Sequence, residues 1–243
     1  MNLPDFIIIG ETKCGTTSLY NYLIQHPNIK ETYGNGDRVD ESYATKEIRY
    51  FDRYYSRGLE WYKSCFPETR FNEITGEGTP MYMYRAMVPY RIHKVLQHTK
   101  FIVLLRNPID RLYSNYQHYY KWVPKWRDLY PDFETYLNTC SDRDYFMIDK
   151  GIYVESLKKW FNYFPRDQFF IESTENFNKS TQAVYSNILK FLKVTNHHLC
   201  SFKYFRKNNY KPMSKKSRQM LKDFYEPYNC KLYELLNKNF KWE

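Results

Sequence analysis

The chain has 243 residues, enough to bury a sizeable core, and its 37 lysines and arginines against 27 acidic residues give a formal net charge of +10. Only eight glycines and eleven prolines are present, which excludes a collagen-like or low-complexity chain. The positive charge suits an anionic partner, namely a nucleotide cofactor, a nucleic acid, an acidic glycan or an anionic membrane, without deciding among them. A solvated basic surface with no specific partner is the alternative.

The first predicted elements are a strand, a loop and a helix. A short apolar run at residues 6–9 is typical of a strand buried on both faces. The loop at residues 10–15 leads into a helix for which Thr16 and Thr17 are good N-caps and which stops before Pro27.

Strands and helices continue to alternate along the rest of the chain. The predicted order is a loop at 31–45, a strand at 101–105, a helix at 108–120, a soft excursion from the core at 123–144, a helix at 153–164, a strand at 168–172, and helices at 180–192 and 215–239. The last helix is expected to break at Pro227 and Asn229. This order predicts the α/β class, as a single domain over residues 1–243 with a central parallel sheet flanked by helices.

The loop after the first strand has the composition of an anion site, because free amides and the dipole of the following helix both attract phosphate. Gly10 and Gly15 allow close backbone approach, Thr16 and Thr17 add hydroxyl donors, and Lys13 adds a mobile charge. The glycine spacing is that of a nucleoside triphosphatase P-loop, but the lysine precedes the second glycine. We expect a P-loop-like nucleotide-binding architecture. A plain strand-to-helix turn is the alternative.

The strand at 101–105 is followed by Arg106, where a magnesium-dependent P-loop enzyme would carry an aspartate. An arginine repels Mg²⁺ and attracts a second anionic group, so we expect phosphate binding with no metal. Ser114 lies two turns into the following helix, and an arginine fork with a hydroxyl suits a terminal phosphate. On these residues alone, a pair between Arg106 and Asp110 with Ser114 on the surface is equally consistent.

Together the two motifs resemble those of sulfotransferases that use 3′-phosphoadenosine-5′-phosphosulfate (PAPS). KCGTT at residues 13–17 resembles the family's loop for the 5′-phosphosulfate, and LLRNPIDRLYSNY at residues 104–116 resembles its 3′-phosphate segment. Likeness to the heparan-sulfate and carbohydrate branch extends along the chain in KEIRYFDRYYSRGLEWYKSCFP, GEGTPMYMY, GIYVESLKKWFNYFP and YKPMSKKSRQMLKDFYEPYNCKLYELL.

The resemblance implies metal-free, in-line transfer of a sulfuryl group from PAPS to an acceptor hydroxyl or amine, which leaves adenosine 3′,5′-bisphosphate. It implies that Lys13 stabilises the departing oxygen and that Glu47 is the catalytic base, with Lys46 as a spectator. A surface ion pair of Glu47 with Arg49 or Arg53 is the alternative. The cofactor-binding residues that it implies are Lys13, Cys14, Gly15, Thr16, Thr17, Ser18, Arg106, Ser114, Arg206, Lys207 and Tyr210.

Two segments depart from the family pattern. The sequence EGTP at residues 77–80 lacks a lysine that part of the branch carries there, which makes Glu77 the second candidate for the base. The C-terminal cofactor loop, residues 205–210, has only Cys200 nearby, whereas a disulfide often closes it in the glycosaminoglycan enzymes. The five scattered cysteines predict neither a zinc site nor a disulfide framework.

The sequence leaves the acceptor and the oligomeric state open. Branch likeness and positive charge favour a carbohydrate, whereas the small size and reduced cysteines favour a cytoplasmic enzyme acting on a small metabolite or glycolipid. No apolar segment is long enough for a signal peptide or a membrane span.

Two other function classes compete with this interpretation. A P-loop nucleotide kinase requires Mg²⁺ and an acidic strand end, and Arg106 argues against both. A non-catalytic polyanion-binding protein fits the charge. However, the aromatic residues are spread throughout and no nucleic-acid-binding signature is present, so we expect no nucleic-acid partner.

Overall fold

The structure is a computed structural model that describes residues 3–35, 46–199 and 210–242. The strands are β1 (Phe6–Gly10), β2 (Ile29–Lys30), β3 (Ile74–Glu77), β4 (Lys100–Leu105) and β5 (Phe169–Ser173). The helices are α1 (Thr16–Leu23), α2 (Leu59–Ser64), α3 (Val88–His93), α4 (Pro108–Trp122), α5 (Pro124–Leu129), α6 (Phe133–Thr139), α7 (Asp142–Asp149), α8 (Tyr153–Phe161), α9 (Thr174–Lys179), α10 (Thr181–Leu192) and α11 (Lys215–Leu236).

The strands form a five-stranded sheet in the order β2-β3-β1-β4-β5, and neighbouring strands run parallel. The central strand, β1, pairs Phe6 with Gly76 of β3 on one side and with Lys100 of β4 on the other. A Cβ atom at Gly76 would lie 2.5 Å from the main-chain oxygen of Phe6, so glycine is required for this close approach. The predicted α/β class with a central parallel sheet is confirmed.

Two compact units interleave along the chain. One comprises Met1–Leu105 and Lys159–Phe205, and the other comprises Arg106–Lys158 and Arg206–Glu243. The first unit contains the whole sheet with α1 to α3, α9 and α10, and the second contains α4 to α7 and α11. The domain boundary at residues 1–243 stays a prediction.

One core cluster of the first unit is mainly aliphatic and joins the sheet to α1 and α10. Ile8 of β1 and Ile102 of β4 pack with Leu19 of α1 and with Ile188 and Leu189 of α10. All five side chains are fully buried. This burial explains why β1 and β4 have continuous apolar sequences, which made them predictable.

The core of the second unit is aromatic. Tyr113, Tyr116, Phe133 and Tyr136 lie in one cluster of buried rings, and the Tyr116 hydroxyl donates to the main-chain oxygen of Tyr130 at 2.9 Å. Buried phenols need such partners, because an unsatisfied hydroxyl destabilises the folded state.

The segment at residues 123–144, predicted as a soft excursion from the core, is largely helical. It contains α5 and α6, and α7 begins within it. Trp126, Phe133 and Tyr136 are buried there in the aromatic core of the second unit. The prediction was wrong because prolines and charged residues interrupt the apolar periodicity over these short helices, which large aromatic side chains hold in place.

The predicted breaks at Pro227 and Asn229 are also wrong, because both residues lie inside α11, a continuous helix of 22 residues. A proline removes one backbone donor and crowds the preceding turn. Burial of Leu221, Tyr225 and Leu232 along α11 opposes this destabilisation. Within the described ranges, no helix is both long and apolar enough to cross a membrane.

Candidate active site

The β1–α1 loop is fixed to the carboxyl edge of the sheet. The amide of Glu11 donates to the main-chain oxygen of Leu104 at 2.8 Å. The hydroxyl of Thr174, at the start of α9, lies 2.9 Å from the main-chain oxygens of both Cys14 and Leu105. In open α/β sheets this edge is where ligands bind.

The loop turns into α1 through residues with a left-handed backbone. Lys13 has φ 67° and Gly15 has φ 84°. Gly15 is the N-cap of α1, so the expected capping by Thr16 and Thr17 is wrong, and these threonines form the first turn of the helix. Among the described residues, no side chain caps α1 and no acidic residue occupies its first turn. Its N-terminal amides therefore suit an anion.

The predicted loop residues differ in how far their side chains are buried. The side chains of Cys14, Thr16 and Ser18 are buried, whereas Lys13 and Thr17 are half-buried. The Cys14 thiol packs inward against the core. The amide of Cys14 donates to the main-chain oxygen of Glu11 at 3.2 Å, and its own main-chain oxygen accepts from the Thr174 hydroxyl. The predicted contacts of these residues with a cofactor stay predictions.

Glu77 is the last residue of β3, and its side chain is fully buried. Its Oε1 accepts a hydrogen bond from the Tyr62 hydroxyl at 2.7 Å, and its Oε2 accepts one from the Thr79 hydroxyl at 2.6 Å. The Ile48 amide also donates to this carboxylate, and the Tyr82 hydroxyl lies 3.4 Å from Oε1. Burial raises the pKa of Glu77 to about 7, although these donors oppose the rise.

The segment that carries Glu47 lies along the end of β3. The main-chain oxygen of Lys46 accepts from the amide of Gly78 at 2.8 Å. The Thr79 hydroxyl accepts from the amide of Arg49 at 3.3 Å. These contacts fix the backbone on both sides of Glu47, so a residue that the sequence only suggested lies on a rigid support.

The carboxylate of Glu47 is partly accessible, with 24% of its side chain exposed, and its Oε1 lies 2.9 Å from Nζ of Lys46. Arg49 pairs with Asp52 instead. Among the described residues, Glu47 has neither Arg49 nor Arg53 as an ion-pair partner, so that alternative is wrong. Lys46, expected to be a spectator, forms an ion pair with the carboxylate of Glu47.

In the second unit, Arg106 directly follows β4, and its main-chain oxygen accepts the Tyr153 hydroxyl at 2.8 Å. Arg106 lines a cavity of about 180 Å³ together with Tyr113, Tyr210 and Arg218. The rings of Tyr113 and Tyr210 are perpendicular, with centroids 5.2 Å apart. The structure thus brings Arg106 and Tyr210, predicted separately, to one cavity.

The remaining predicted cofactor-binding residues are Ser114, Arg206 and Lys207. Ser114 is buried on α4, and the side chain of Asn107 caps that helix by accepting from the amide of Ile109 at 3.0 Å. Arg206 and Lys207 lie outside the described residues. Over residues 3–35, 46–199 and 210–242, no cluster of three or more His, Cys, Asp or Glu side chains is arranged to hold a metal ion.

Comparison with known proteins identifies the family. The sulfotransferase domain model matches residues 3–230. The chain belongs to this sulfotransferase family. Mouse heparan sulfate glucosamine 3-O-sulfotransferase 3B1 is 29% identical over 274 residues, which cover 99% of this chain and 65% of that protein. The mouse 3-O-sulfotransferase 6 is 29% identical over 271 residues, with 99% and 74% covered.

The sulfotransferase chain therefore spans only about two thirds of the length of the 3B1 relative. A solved sulfotransferase from Alicyclobacillus acidocaldarius superposes with a TM-score of 0.75 at 23% identity, covering 99% of this chain and 98% of the other. This likeness shows the fold. The predicted family, near the heparan-sulfate branch, is confirmed, and the nucleotide-kinase alternative loses its support.

Sequence reasoning missed the contacts of several residues that hold the β1–α1 loop and the segment of Glu47 in place. Thr174 directly follows the last residue of β5, and a hydroxyl at that strand end was a usable signal. Glu11 is buried within the loop and gave no local signal. Lys46 was interpreted as a spectator because adjacent opposite charges in a polar segment are usually solvated.

Proposed function

We propose that this chain transfers a sulfuryl group from PAPS to a hydroxyl of a carbohydrate acceptor. Family membership supports the reaction class. The β1–α1 loop carries the proposal, because its uncapped helix start and its anchors at Leu104 and Thr174 offer a preorganised anion site at the edge of the sheet.

Different residues of the chain bind different parts of the PAPS donor. The amides of the β1–α1 loop and the hydroxyls of Thr16 and Thr17 hold the 5′-phosphate, and Lys13 neutralises the oxygen that links it to sulfur. The family resemblance assigns the 3′-phosphate to Arg106 and Ser114. It also assigns Arg206 and Lys207 to this phosphate and Tyr210 to the adenine.

Glu47 serves as the base, since its carboxylate is partly accessible and Glu77 is not. A pKa of about 7 would suit Glu77 for proton transfer. However, its side chain is fully buried, and the hydroxyls of Tyr62 and Thr79 each donate to one of its carboxylate oxygens. Glu77 instead supports the segment that carries Glu47.

The transfer step balances without a metal. The acceptor oxygen forms a bond to sulfur while the bond from sulfur to the 5′-phosphate oxygen breaks, and Glu47 takes the acceptor's proton. Adenosine 3′,5′-bisphosphate leaves with the additional negative charge, which Lys13 and the loop amides stabilise.

A carbohydrate is the proposed acceptor for two reasons. The relatives at 29% identity are described as acting on heparan sulfate glucosamine, and the net charge of +10 suits a polyanionic chain. The same chemistry on a small-molecule hydroxyl is the alternative. The cytoplasmic location stays a prediction, and the sequence leaves the oligomeric state open.

Transfer from labelled PAPS tests the proposal on a panel of glycosaminoglycans, glycolipids and small alcohols. We expect label on a glycan, and loss of it in Lys13→Ala and Glu47→Gln. Lys63→Met is a matched control, because Lys63 pairs with exposed Glu60 on α2. Label only on small alcohols would overturn the acceptor. No label on any acceptor, with no binding of adenosine 3′,5′-bisphosphate by calorimetry, would overturn the function.

A further inference from the structure

Lys46 is buried beside the candidate base. Its side chain is only 5% exposed, and Nζ lies 2.9 Å from Oε1 of Glu47 and 3.0 Å from the main-chain oxygen of Gly78. The Lys46 main chain is held as well, since its oxygen accepts from the amide of Gly78. Lys46 and Gly78 are thus joined by two reciprocal hydrogen bonds.

Removing an ammonium group from water is unfavourable unless a charge and hydrogen bonds compensate. Here the carboxylate of Glu47 supplies the charge and Gly78 supplies the carbonyl acceptor. The lysine stem passes close to the backbone of Gly78, because a Cβ atom added there would lie 3.6 Å from Cδ of Lys46. The ammonium is therefore held in one place, unlike a surface lysine.

Other charges nearby do not replace it. Arg49 also faces Glu47, but its guanidinium is matched by Asp52, whose side chain is 2% exposed. The carboxyl group of Glu77, which precedes Gly78, is enclosed by its own hydroxyl donors, Tyr62 and Thr79. Lys46 is the cation in direct contact with Glu47 among the described residues.

We propose that Lys46 is a positioning residue that clamps Oε1 of Glu47, so that the second oxygen, Oε2, is aimed at the proton of the acceptor. Among the described residues, Oε2 has no hydrogen-bond partner. This inference rests on the proposed role of Glu47 as the base. A fixed carboxylate accelerates proton transfer because its orientation is established before the reaction.

The test is a double-mutant cycle of Lys46→Met and Glu47→Gln in the full chain, with kcat and the donor and acceptor KM measured for each variant. Methionine keeps the length and apolar stem of lysine but removes the ammonium. We expect Lys46→Met to lower kcat by about tenfold or more, with each KM changed by less than about twofold. In the Glu47→Gln background the same change is expected to alter kcat by less than about twofold.

Lys46→Arg provides the conservative rescue, because it restores a cation next to Glu47, and we expect it to recover part of kcat. Lys63→Met removes a lysine whose partner, Glu60, lies on α2, and should keep the original kcat. Thermal unfolding of each variant shows whether it is folded.

The outcomes separate this inference from the proposed function. If Glu47→Gln retains full turnover, the base assignment fails and Lys46 loses its proposed target. If Glu47→Gln loses turnover but Lys46→Met does not, only the inference is overturned. If Lys46→Met lowers kcat equally in both backgrounds, Lys46 acts through the fold and the inference is also overturned.

Discussion

The hydroxyl of Thr174 lies 2.9 Å from the main-chain oxygen of Cys14, at the centre of the β1–α1 loop. The same hydroxyl lies 2.9 Å from the main-chain oxygen of Leu105, at the end of β4. The Thr174 side chain thus fixes the β1–α1 loop to the sheet, although Thr174 and Cys14 lie 160 positions apart in the sequence.

Replacing Thr174 by valine removes this anchor and keeps the side-chain shape. We expect Thr174→Val to weaken binding of adenosine 3′,5′-bisphosphate about tenfold by calorimetry, because the loop amides lose part of their preorganisation. Thr181→Val is the control, since the Thr181 hydroxyl contacts the main-chain oxygen of Phe177 within the helical region. Equal affinity in both variants would show that the anchor does not order the loop.

Lys13→Met tests the residue proposed to neutralise the departing oxygen. The expected result is a loss of kcat of about 100-fold or more with an unchanged thermal unfolding temperature, because the lost charge acts mainly in the transition state. Lys193→Met is a matched control: Lys193 also has a left-handed backbone, with φ 63° against 67° for Lys13, but it caps α10. A mild effect of Lys13→Met on kcat would contradict its assigned role.

Arg106→Met distinguishes the two phosphates of the nucleotide. We expect it to weaken binding of adenosine 3′,5′-bisphosphate at least about tenfold, and binding of adenosine 5′-monophosphate by less than about twofold. The exposed Arg127 on α5 supplies the control variant, Arg127→Met. Equal losses for both nucleotides would remove Arg106 from the 3′-phosphate.

Glu77 should make stability depend on pH, because burial raises its pKa from 4.5 to about 7. Between pH 4.5 and about pH 7, Glu77 is ionised in the unfolded chain but protonated in the folded chain. Its contribution to the free energy of unfolding therefore falls as pH rises and is lost above about pH 7. The difference is on the order of 3 kcal/mol. Urea unfolding from pH 5 to 8 should show a shallower fall for Glu77→Gln than for the parent chain.

Exposed Glu60 provides the comparison for that pH series, and Glu60→Gln should retain the parent's slope. If the Glu77→Gln profile runs parallel to the parent's, the buried carboxyl group does not titrate in this range.

Tyr185 tests the aliphatic core of the first unit. Its hydroxyl is buried and has no hydrogen-bond partner among the described residues. We expect Tyr185→Phe to raise the free energy of unfolding by about 1 kcal/mol, because the orphaned hydroxyl is removed. Tyr20→Phe should destabilise the same core, since the Tyr20 hydroxyl accepts from the amide of Thr32 at 3.2 Å. Destabilisation by Tyr185→Phe would indicate a partner for that hydroxyl.

The predictable parts of the fold were those with a local signal. β1 and β4 are continuous apolar runs because both faces of the central strands are buried. β3 was missed, since it combines Thr75, Gly76 and Glu77 with a single isoleucine and is recognisable only through its pairing with β1.

The candidate site divides in the same way. Lys13 and Arg106 follow strands in contiguous motifs, so the sequence alone could nominate them. The ion pair of Lys46 with Glu47 could not be predicted from contiguous residues, because Gly78, which holds the Lys46 ammonium group, lies 32 residues further along the chain.

The amino-acid sequence by itself determined the alternating α/β order, the candidate anion-binding loop and the sulfotransferase family, because contiguous residues carry the signal for each. Only the tertiary structure decided which side chains meet across strand ends: Thr174 with the loop, Lys46 with Gly78 and Glu47, and Tyr62 with Glu77. The physical reason is that parallel strands pair through long connections, so neighbours at one sheet edge are distant in the chain.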